Sequence, residues 1–389
     1  MIAYDERLAP TRAPLTAGRL RALAQAVRAG GNDLRALTPE ARIAALDRVA
    51  ASWLTADSPW RRQALSELPM STGYPEPAIA IALTNVWQAL RAPYLAATLA
   101  AELADHDPRA TPPPGLALHV LAGNVPGVGV FGVVAALLAG IPSLVKPAAR
   151  EPFLPALLVD SIVSVAPELR RAVALAPWRG GTAELDTTAA READLILAYG
   201  RNATLDALAA RGPRRLLRFG QRLSLALIAR TAATRATAAT LARQTALFDQ
   251  QGCLSPQIVC LEESSPAETD RFAAALADDL AAVEQELPRA PLTLGESAAV
   301  WRFVEQQRWR SQEGAAIVVH GGVDGRPSVV CDRTSALVMS PTFRHLVLVP
   351  VPTLASAEAV LRPLAGMIEG IGYAGPLDRL AEASDVAAR

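Results

Sequence analysis

The strongest constraint on the fold of this chain is a regular alternation that begins near residue 115. Short apolar runs of strand length are each followed by a stretch with helical spacing. Strands that alternate with helices form parallel sheets with helices on both faces, and such strands are apolar throughout. The sequence therefore predicts a doubly wound, Rossmann-like parallel α/β sheet. Its predicted strands are LALHVLAG, PSLVKPA, RRAVALAP, ADLILAYG, RRLLRFG and LSLALIA.

Two further regions flank this predicted sheet. Residues 1–105 are rich in Ala, Leu and Arg at helical spacing and predict a helical N-terminal leader. Within it, Thr38 is the expected N-cap of a helix that starts at Pro39. The segment DPRATPPPG ends this region, because its prolines break helices. We expect three domains, 1–105, 106–240 and 241–389. The last is a second α/β unit with strands IVCLEE, AAIVVHGG, PSVVCD, SALVMS and RHLVLVPV.

Composition excludes several classes of function. Lys+Arg and Asp+Glu are equal at 38 each, so no basic surface for nucleic acid is expected. The three cysteines form no disulfide pattern and the N-terminus lacks a signal peptide, which predicts a cytoplasmic protein. The uncharged stretch 125–145 contains two prolines and four glycines, so we interpret it as a buried loop, helix and strand rather than a membrane span. The four histidines show no metal-ligand spacing.

The stretch GNVPGVGVFG contains a G-x-G-x-x-G pattern at Gly127, Gly129 and Gly132. In a dinucleotide-binding turn of this kind, an acid at the end of the second strand binds the ribose. Here the second strand ends at Lys146 instead. The glycines therefore have a second interpretation, which is close packing of a helix. Asn124, just before them, is either a turn-forming residue or a side-chain amide donor at the sheet's carboxyl edge.

Two other residues stand out by their context. Lys146 is the only lysine in the sequence, and the other residues of the Lys+Arg total of 38 are arginines. A lone lysine suggests a position that needs a compact ammonium group, although chance retention on a surface is the alternative. Cys253 lies in the polar loop FDQQGCLSPQ and is a candidate nucleophile, provided that its surroundings activate the thiol. Cys260 and Cys331 lie in apolar runs and are expected in the core.

Taken in order, the segments GNVPG, SLVKP, AYGRN, RFGQRLS and FDQQGCLSPQ resemble the acyl-CoA reductase family. That family belongs to the aldehyde dehydrogenase superfamily and includes the fatty-acid reductase of bacterial bioluminescence. The resemblance covers about residues 115–375. It implies an aldehyde dehydrogenase-like fold, with a cofactor domain at 106–240 and a catalytic domain at 241–389. The implied reaction is NADPH-dependent reduction of an acyl thioester, on coenzyme A or a carrier protein, to an aldehyde.

The resemblance also implies residue roles. Cys253 corresponds to the nucleophile that forms an acyl-enzyme, and Asn124 with the backbone N–H of Cys253 corresponds to the oxyanion hole. Superfamily members that favour NAD commonly have an acid three residues after the lysine; here that position is Ala149, followed by Arg150, so NADP(H) is expected, with NAD(H) as the alternative. The cofactor-binding residues implied are Lys146, Pro147, Arg150, Gly200, Arg201 and Gly220.

Two departures from the superfamily pattern leave other functions open. RFGQRLS has no carboxylate where aldehyde dehydrogenases carry a general base for water, so hydrolysis of the acyl-enzyme is disfavoured. SPTFRHL replaces the motif that holds the nicotinamide ribose, and the chain ends earlier than in typical members. The alternatives are a non-catalytic or acyl-transferring subunit of a multienzyme complex, and a coenzyme A-acylating dehydrogenase that works in the oxidative direction. An acyl-transferring partner protein and a homo-oligomer are further expectations.

Overall fold

Residues 15–103, 112–334 and 337–388 are described in this computed structural model. They fall into two units, Met1–Gly220 and Gln221–Arg389. The helical leader and the first sheet thus belong to the same unit. The sequence placed functional boundaries at 105 and 240, and that functional division stays a prediction.

Within residues 15–103, five helices precede the first sheet. Helix α2 (Pro39–Leu54) begins as expected, because the Thr38 side chain accepts the Ala41 N–H and Pro39 is the first helical residue. Trp53 of α2 stacks on Trp87 of α4 with ring centroids 4.7 Å apart, and both rings are buried. This pair joins two leader helices by a large apolar contact. The five helices are α1 (Ala17–Ala36), α2 (Pro39–Leu54), α3 (Pro59–Thr72), α4 (Glu76–Ala89) and α5 (Ala92–Leu103).

The first sheet has five parallel strands in the order β3-β2-β1-β4-β5. Helices connect the strands, as the alternation predicted, so the doubly wound fold class is confirmed. The stretch 125–145 forms a turn, helix α6 and strand β2, and no helix in the described part of the chain is long and apolar enough to cross a membrane. The elements are β1 (Ala117–Val120), α6 (Val128–Leu138), β2 (Ser143–Lys146), α7 (Phe153–Val165), β3 (Val173–Leu175), α8 (Ala183–Glu192), β4 (Leu195–Tyr199), α9 (Asn202–Ala209) and β5 (Leu216–Phe219).

The second unit contains a six-stranded mixed sheet in the order β11-β6-β7-β10-β9-β8. Strands β8 (Ile317–Gly321) and β9 (Ser328–Asp332) pair antiparallel, and the other strand pairs described for this sheet are parallel. Its strands and helices are β6 (Leu223–Ile228), α10 (Arg235–Ala246), β7 (Pro256–Glu262), α11 (Pro266–Glu286), α12 (Leu294–Gln312), β8 (Ile317–Gly321), β9 (Ser328–Asp332), β10 (His345–Val351), α13 (Ala357–Leu361), β11 (Ile368–Ala374) and α14 (Leu380–Ala388).

Three features of this sheet differ from the sequence-based expectation. LSLALIA is strand β6 and pairs with β7 and β11, not with the first sheet. SALVMS was expected to be a strand, but residues 337–340, its described part, are irregular. The edge strand β11 was not predicted, because its IEGIGYA sequence has two glycines and no continuous apolar run. Strand pairing depends on partners far away in the chain, which local patterns do not identify.

Helix α1 packs tightly against the turn that leads into β3. A Cβ atom at Gly30 of α1 would lie 2.0 Å from the backbone oxygen of Arg171. Backbone cannot move aside as a flexible side chain can. Glycine at this position therefore permits the close approach of the leader to the first sheet.

We predict that Gly30→Ala destabilises the first unit by about 1–3 kcal/mol, because the added methyl overlaps main-chain atoms. Gly18→Ala in the same helix is the matched control: nothing lies within 4 Å of its Cβ position, so improved helix propensity should make it neutral or stabilising. Urea unfolding followed by circular dichroism measures both. Equal midpoints for the two variants would contradict the packing argument.

Candidate active site

The carboxyl ends of the first sheet bring several predicted site residues to one edge. Lys146 is the last residue of β2, Asn124 follows β1, and Gly200 and Gly220 follow β4 and β5. Because all five strands are parallel, these positions share one edge of the sheet. The chain winds outward from β1 in both directions, so β1 and β4 flank the switch point, where α/β sheets bind ligands. The structure thus brings these four residues to the edge of the sheet at which α/β folds bind ligands.

Lys146 is buried, with 7% of its surface exposed. Its Nζ lies 5.1 Å from the ring centroid of Trp178, within the range of a cation–π contact. Burial lowers the pKa of the Lys146 ammonium, and the negative charge of Asp186 partly opposes this. Asp186 also accepts hydrogen bonds from Trp178 Nε1 and from the Gly181 N–H, 2.8 and 2.9 Å long. The lone lysine is therefore buried beside an aromatic ring and a carboxylate, which excludes chance retention on a surface.

Sequence reasoning missed Trp178 and Asp186. Both follow β3 along the chain, so they reach the same edge as Lys146. The available signal was an isolated aromatic residue directly after a strand, followed by an acid in the first turn of a helix. Neither residue belongs to the motifs singled out in the sequence, and their proximity to Lys146 depends on the pairing of β2 with β3.

The remaining predicted cofactor residues lie on the loops at the same edge. Pro147 is buried directly after Lys146, whereas Ala149 and Arg150 are exposed. Arg150 donates a 3.4 Å hydrogen bond to the carbonyl of Thr72. Arg201 is the exposed N-cap residue of α9. Two exposed arginines and no acid at position 149 make this edge favourable for anionic groups.

The three spaced glycines serve a turn and close packing. Gly127, with φ +94°, occupies the left-handed region just before α6. Cβ atoms at Gly129 and Gly132 would lie 2.6 Å from Leu121 Cδ2 and 3.0 Å from Tyr199 Oη. These contacts favour the interpretation that the glycines let α6 approach the sheet. Asn124 in the preceding turn is exposed, and its carbonyl accepts a 3.0 Å hydrogen bond from Tyr74 Oη.

Cys253 lies in the second unit, in a turn immediately before β7, and is the only exposed thiol of the three cysteines. The Ser224 hydroxyl donates a 2.7 Å hydrogen bond to the Cys253 carbonyl. Partial burial and then the negative charge of Glu369 raise the pKa of the Cys253 thiol, whereas the backbone N–H groups of Cys253 and Leu254 lower it. The turn therefore offers two donors to the thiolate, although the resting group is a neutral thiol.

The other two cysteines are core residues, as expected. Cys260 on β7 and Cys331 on β9 are both fully buried. Burial raises the pKa of each thiol to about 12. A thiol with so high a pKa is unreactive at neutral pH. Within the described residues, no three His, Cys, Asp or Glu side chains form a group that could hold a metal ion.

The FDQQ segment before Cys253 has an unusual backbone. Residues 248–250 all have positive φ, between 52° and 65°. Residues 342–344, within SPTFRHL, also have positive φ, between 56° and 71°. Each non-glycine residue in this region costs about 1 kcal/mol or more, so such a run persists only when its surroundings hold it in place.

A buried ion pair and several hydrogen bonds hold these two turns together. Arg344 contacts Asp249 through Nη2 and Nε at 2.7 and 2.8 Å. Both residues are buried, with 1% of the surface of Arg344 and 2% of the surface of Asp249 exposed. Gln250 Oε1 accepts the N–H groups of Arg344 and His345, and Gln250 Nε2 donates to the Pro256 carbonyl.

Two further bonds complete the link. Gln251 Nε2 donates a 2.6 Å hydrogen bond to Thr342 Oγ1, and the Phe343 N–H donates to the Asp249 carbonyl. The three polar residues of the DQQ motif thus orient the turn that carries Cys253, and Arg344 is their main partner. Sequence reasoning did not identify Arg344, because it lies in the segment that departs from the superfamily pattern.

Cys253 and Asn124 belong to different units. Cys253 lies among residues of the second unit and Asn124 among residues of the first. The oxyanion hole that pairs them stays a prediction, as do the roles of the individual cofactor residues.

Comparisons with known proteins agree with this fold. A model of a family described as Acyl-CoA reductase (LuxC) matches residues 34–386, which is most of the chain. A long-chain acyl-protein thioester reductase 2 from Photobacterium leiognathi is 27% identical over 195 residues, which cover 48% of this chain and 40% of that protein. The match thus spans less than half of that relative's length.

Solved structures extend the likeness of fold to almost the whole chain. The aldehyde dehydrogenase KauB from Pseudomonas aeruginosa has a TM-score of 0.71 at 14% identity, covering 96% of this chain and 80% of that one. An indole-3-acetaldehyde dehydrogenase in complex with NAD+ has a TM-score of 0.70 at 15% identity, with the same shares covered, 96% and 80%. At these identities the likeness establishes the aldehyde dehydrogenase-like fold.

We predict that Asp249→Asn destabilises the second unit by about 3–5 kcal/mol, because it removes the carboxylate 2.7 Å from the buried Arg344 guanidinium and leaves the more distant Glu284, 4.0 Å away. Glu286→Gln, which breaks the exposed pair between Arg243 and Glu286, is the control and should cost less than about 1 kcal/mol. Urea unfolding followed by tryptophan fluorescence measures both. A loss for Asp249→Asn no larger than that of the control would contradict the proposed role of the ion pair.

Proposed function

Because the chain belongs to the acyl-CoA reductase (LuxC) family, we propose that it reduces the acyl group of a thioester to an aldehyde with a nicotinamide cofactor. The observation that carries this proposal is the exposed Cys253 thiol on a turn that the DQQ residues hold in place. A thiol in this position can accept an acyl group, and the donor groups of its own turn favour the thiolate. The carboxyl edge of the first sheet provides the cofactor site.

The proposed first step is acyl transfer. Cys253 Sγ attacks the thioester carbonyl, the bond from the acyl carbon to the carrier sulfur breaks, and the carrier thiol leaves with the proton that Cys253 has lost. The Asn124 amide and the Cys253 N–H would donate hydrogen bonds to the oxyanion of the tetrahedral intermediate. A bound nicotinamide cofactor would supply the hydride that converts the acyl group to an aldehyde. Cys253 leaves as a thiolate and takes up a proton.

The chemistry of the carboxyl edge fits a phosphorylated dinucleotide. Lys146 is held by Trp178 and Asp186, and exposed Arg150 lies four residues further on. Ala149 presents no carboxylate that would repel a 2′-phosphate. We therefore propose NADP(H), bound by Lys146, Pro147 and Arg150 at the adenosine end, with Gly200, Arg201 and Gly220 beside it. The NAD+ in the complex of the indole-3-acetaldehyde dehydrogenase supports a nicotinamide cofactor, and NAD(H) stays the alternative.

The residues in the RFGQ segment support reduction over hydrolysis. Arg218 occupies the position of the superfamily's general-base glutamate, and its guanidinium pairs with Asp206 of α9. A guanidinium does not remove a proton from water. The acyl-enzyme should therefore either be reduced to the aldehyde or return its acyl group to a thiol.

The relative's name suggests the substrate class. It is called a long-chain acyl-protein thioester reductase. We therefore propose that this chain accepts long-chain acyl groups carried on a protein thiol or on coenzyme A, with an acyl-transferring protein as the donor. Aldehyde formation from fatty acyl-CoA, or from an acylated carrier protein, with NADPH tests this reaction. Absence of aldehyde with every donor and chain length would overturn it.

We predict that Cys253→Ala abolishes covalent acylation and aldehyde formation, because the nucleophile is lost. Intact-mass spectrometry after incubation with long-chain acyl-CoA, without NADPH, reports the acyl adduct. Cys331→Ala, which removes a buried thiol, is the control and should keep the adduct. An adduct that persists in Cys253→Ala would show that another residue is acylated.

We predict that Ala149→Glu raises the KM for NADPH by about tenfold or more and changes the KM for NADH much less. The new carboxylate would repel a 2′-phosphate but not a 2′-hydroxyl, and tenfold corresponds to about 1.4 kcal/mol. Ala149→Gln is the size-matched control without the charge. Initial rates with both cofactors give the result. Equal effects of Glu and Gln would rule out 2′-phosphate recognition at this edge.

A further inference from the structure

We propose that Glu369 is the proton-transfer residue for Cys253, taking the thiol proton during acyl transfer and delivering it to the leaving thiol. This proposal rests on the acyl-transfer reaction proposed above. No motif in the sequence pointed to Glu369, which lies on the edge strand β11. Its placement follows from how β11 joins the sheet next to the Cys253 turn.

A β-bulge presents Glu369. Strand β11 pairs with β6, with Ile368 opposite Leu223 and Gly370 opposite Ser224. Two consecutive residues of β6 therefore face positions 368 and 370, and Glu369 is the extra residue between them. Bulges interrupt the ladder and redirect a side chain, and they are common next to active sites. The Glu369 side chain is exposed.

The neighbouring contacts place this bulge at the nucleophile's turn. A Cβ atom at Gly370 would lie 3.1 Å from Leu254 Cδ2 and 3.2 Å from Ser224 Oγ. Ser224 Oγ in turn donates the 2.7 Å hydrogen bond to the Cys253 carbonyl. Ser224 is thus opposite the bulge on one side and bonded to Cys253 on the other. The strands β6, β7 and β11 are parallel and begin at this level, so the three residues share the amino edge of the sheet.

A second bulge lies at the same level. Between β6 and β7 the register shifts after Ser224, which is opposite Pro256, whereas Leu225 is opposite Ile258. The pairing of β6 with β11 and that of β6 with β7 are therefore both irregular where the Cys253 turn leads into β7. Such local irregularity is expected where strand ends must aim side chains at a reacting group rather than continue a ladder.

The charge of Glu369 acts on the thiol. After burial, the negative charge of its carboxylate is the next contribution to the raised pKa of Cys253. The resting thiol is therefore protonated, so a base is needed when it attacks. The Glu369 side chain makes no hydrogen bond or ion pair with another residue in the part of the chain that the structure describes. Its oxygens are available to accept a proton.

Glu369 first accepts and then returns one proton during acyl transfer to Cys253. The Glu369 carboxylate removes the proton from Cys253 Sγ as the bond from Sγ to the acyl carbon forms. The tetrahedral intermediate then collapses, the bond from that carbon to the carrier sulfur breaks, and the Glu369 carboxylic acid protonates the departing sulfur. The products are the acyl-enzyme, a free carrier thiol and the regenerated carboxylate. No redox partner takes part in this step.

The test compares two reactions of the same thiol in Glu369→Gln. Loss of the negative charge lowers the pKa of Cys253, so alkylation by iodoacetamide at pH 7.5 should become at least about twofold faster. Loss of the proton acceptor should slow acylation by long-chain acyl-CoA about 100-fold, measured as the single-turnover release of coenzyme A. A structural defect in the turn would slow both reactions. The opposite changes are therefore specific to proton transfer.

Two further variants complete the experiment. Glu369→Asp keeps the acid and should recover part of the acylation rate. Asp378→Asn removes the same charge from an exposed position after β11 and should change neither rate by more than about twofold. If wild-type protein releases coenzyme A and Glu369→Gln releases it equally fast, only the role of Glu369 is overturned. If both reactions slow in Glu369→Gln, its role is structural and the proposal also fails. If wild-type protein is not acylated at all, the proposed function itself fails.

Discussion

The buried ion pair between Asp249 and Arg344 is the interaction on which the turn that carries Cys253 depends. It joins the turn before β7 to the turn before β10, two neighbouring strands of the second sheet. Both turns contain three consecutive residues in the left-handed region, a conformation that does not persist alone. The charge pair has only 1% and 2% exposure. Hydrogen bonds add to the link between the two turns, because Gln250 accepts the Arg344 and His345 N–H groups and Gln251 donates to Thr342 Oγ1. The position of Cys253 follows from this arrangement.

In the first unit, the corresponding feature is a buried cation, the Lys146 ammonium, which lies over the ring of Trp178. Lys146 is buried, and the Trp178 ring and the Asp186 carboxylate together offset the cost of removing its ammonium from water. An arginine here would present a larger planar group to the same space, which gives a reason for the single lysine among so many arginines. Gly129 and Gly132 let α6 pack closely against Leu121 and Tyr199, which lie at the carboxyl ends of β1 and β4.

The environment of Cys253 combines two opposing influences. The N–H groups of its turn favour a thiolate, whereas partial burial and the charge of Glu369 favour the neutral thiol. A resting thiol is protected from oxidation and unselective alkylation, but it requires a base at the moment of attack. The bulge of β11 places the same carboxylate where it can meet this requirement. The raised pKa and the proposed proton transfer are thus two consequences of one placement.

The sequence by itself determined the local features: the alternation of strands and helices, the Thr38 cap, the buried character of Cys260 and Cys331, and the candidate thiol in FDQQGC. These follow from spacing, composition and short motifs, which act within a few residues of chain. Only the tertiary structure decided that LSLALIA joins the second sheet, that SPTFRHL holds the DQQ turn through Arg344, and that Trp178 and Glu369 lie beside Lys146 and Cys253. Each of these contacts joins residues far apart in the chain. These contacts are stabilised by burial and charge pairing between distant segments, which a pattern of neighbouring residues does not predict.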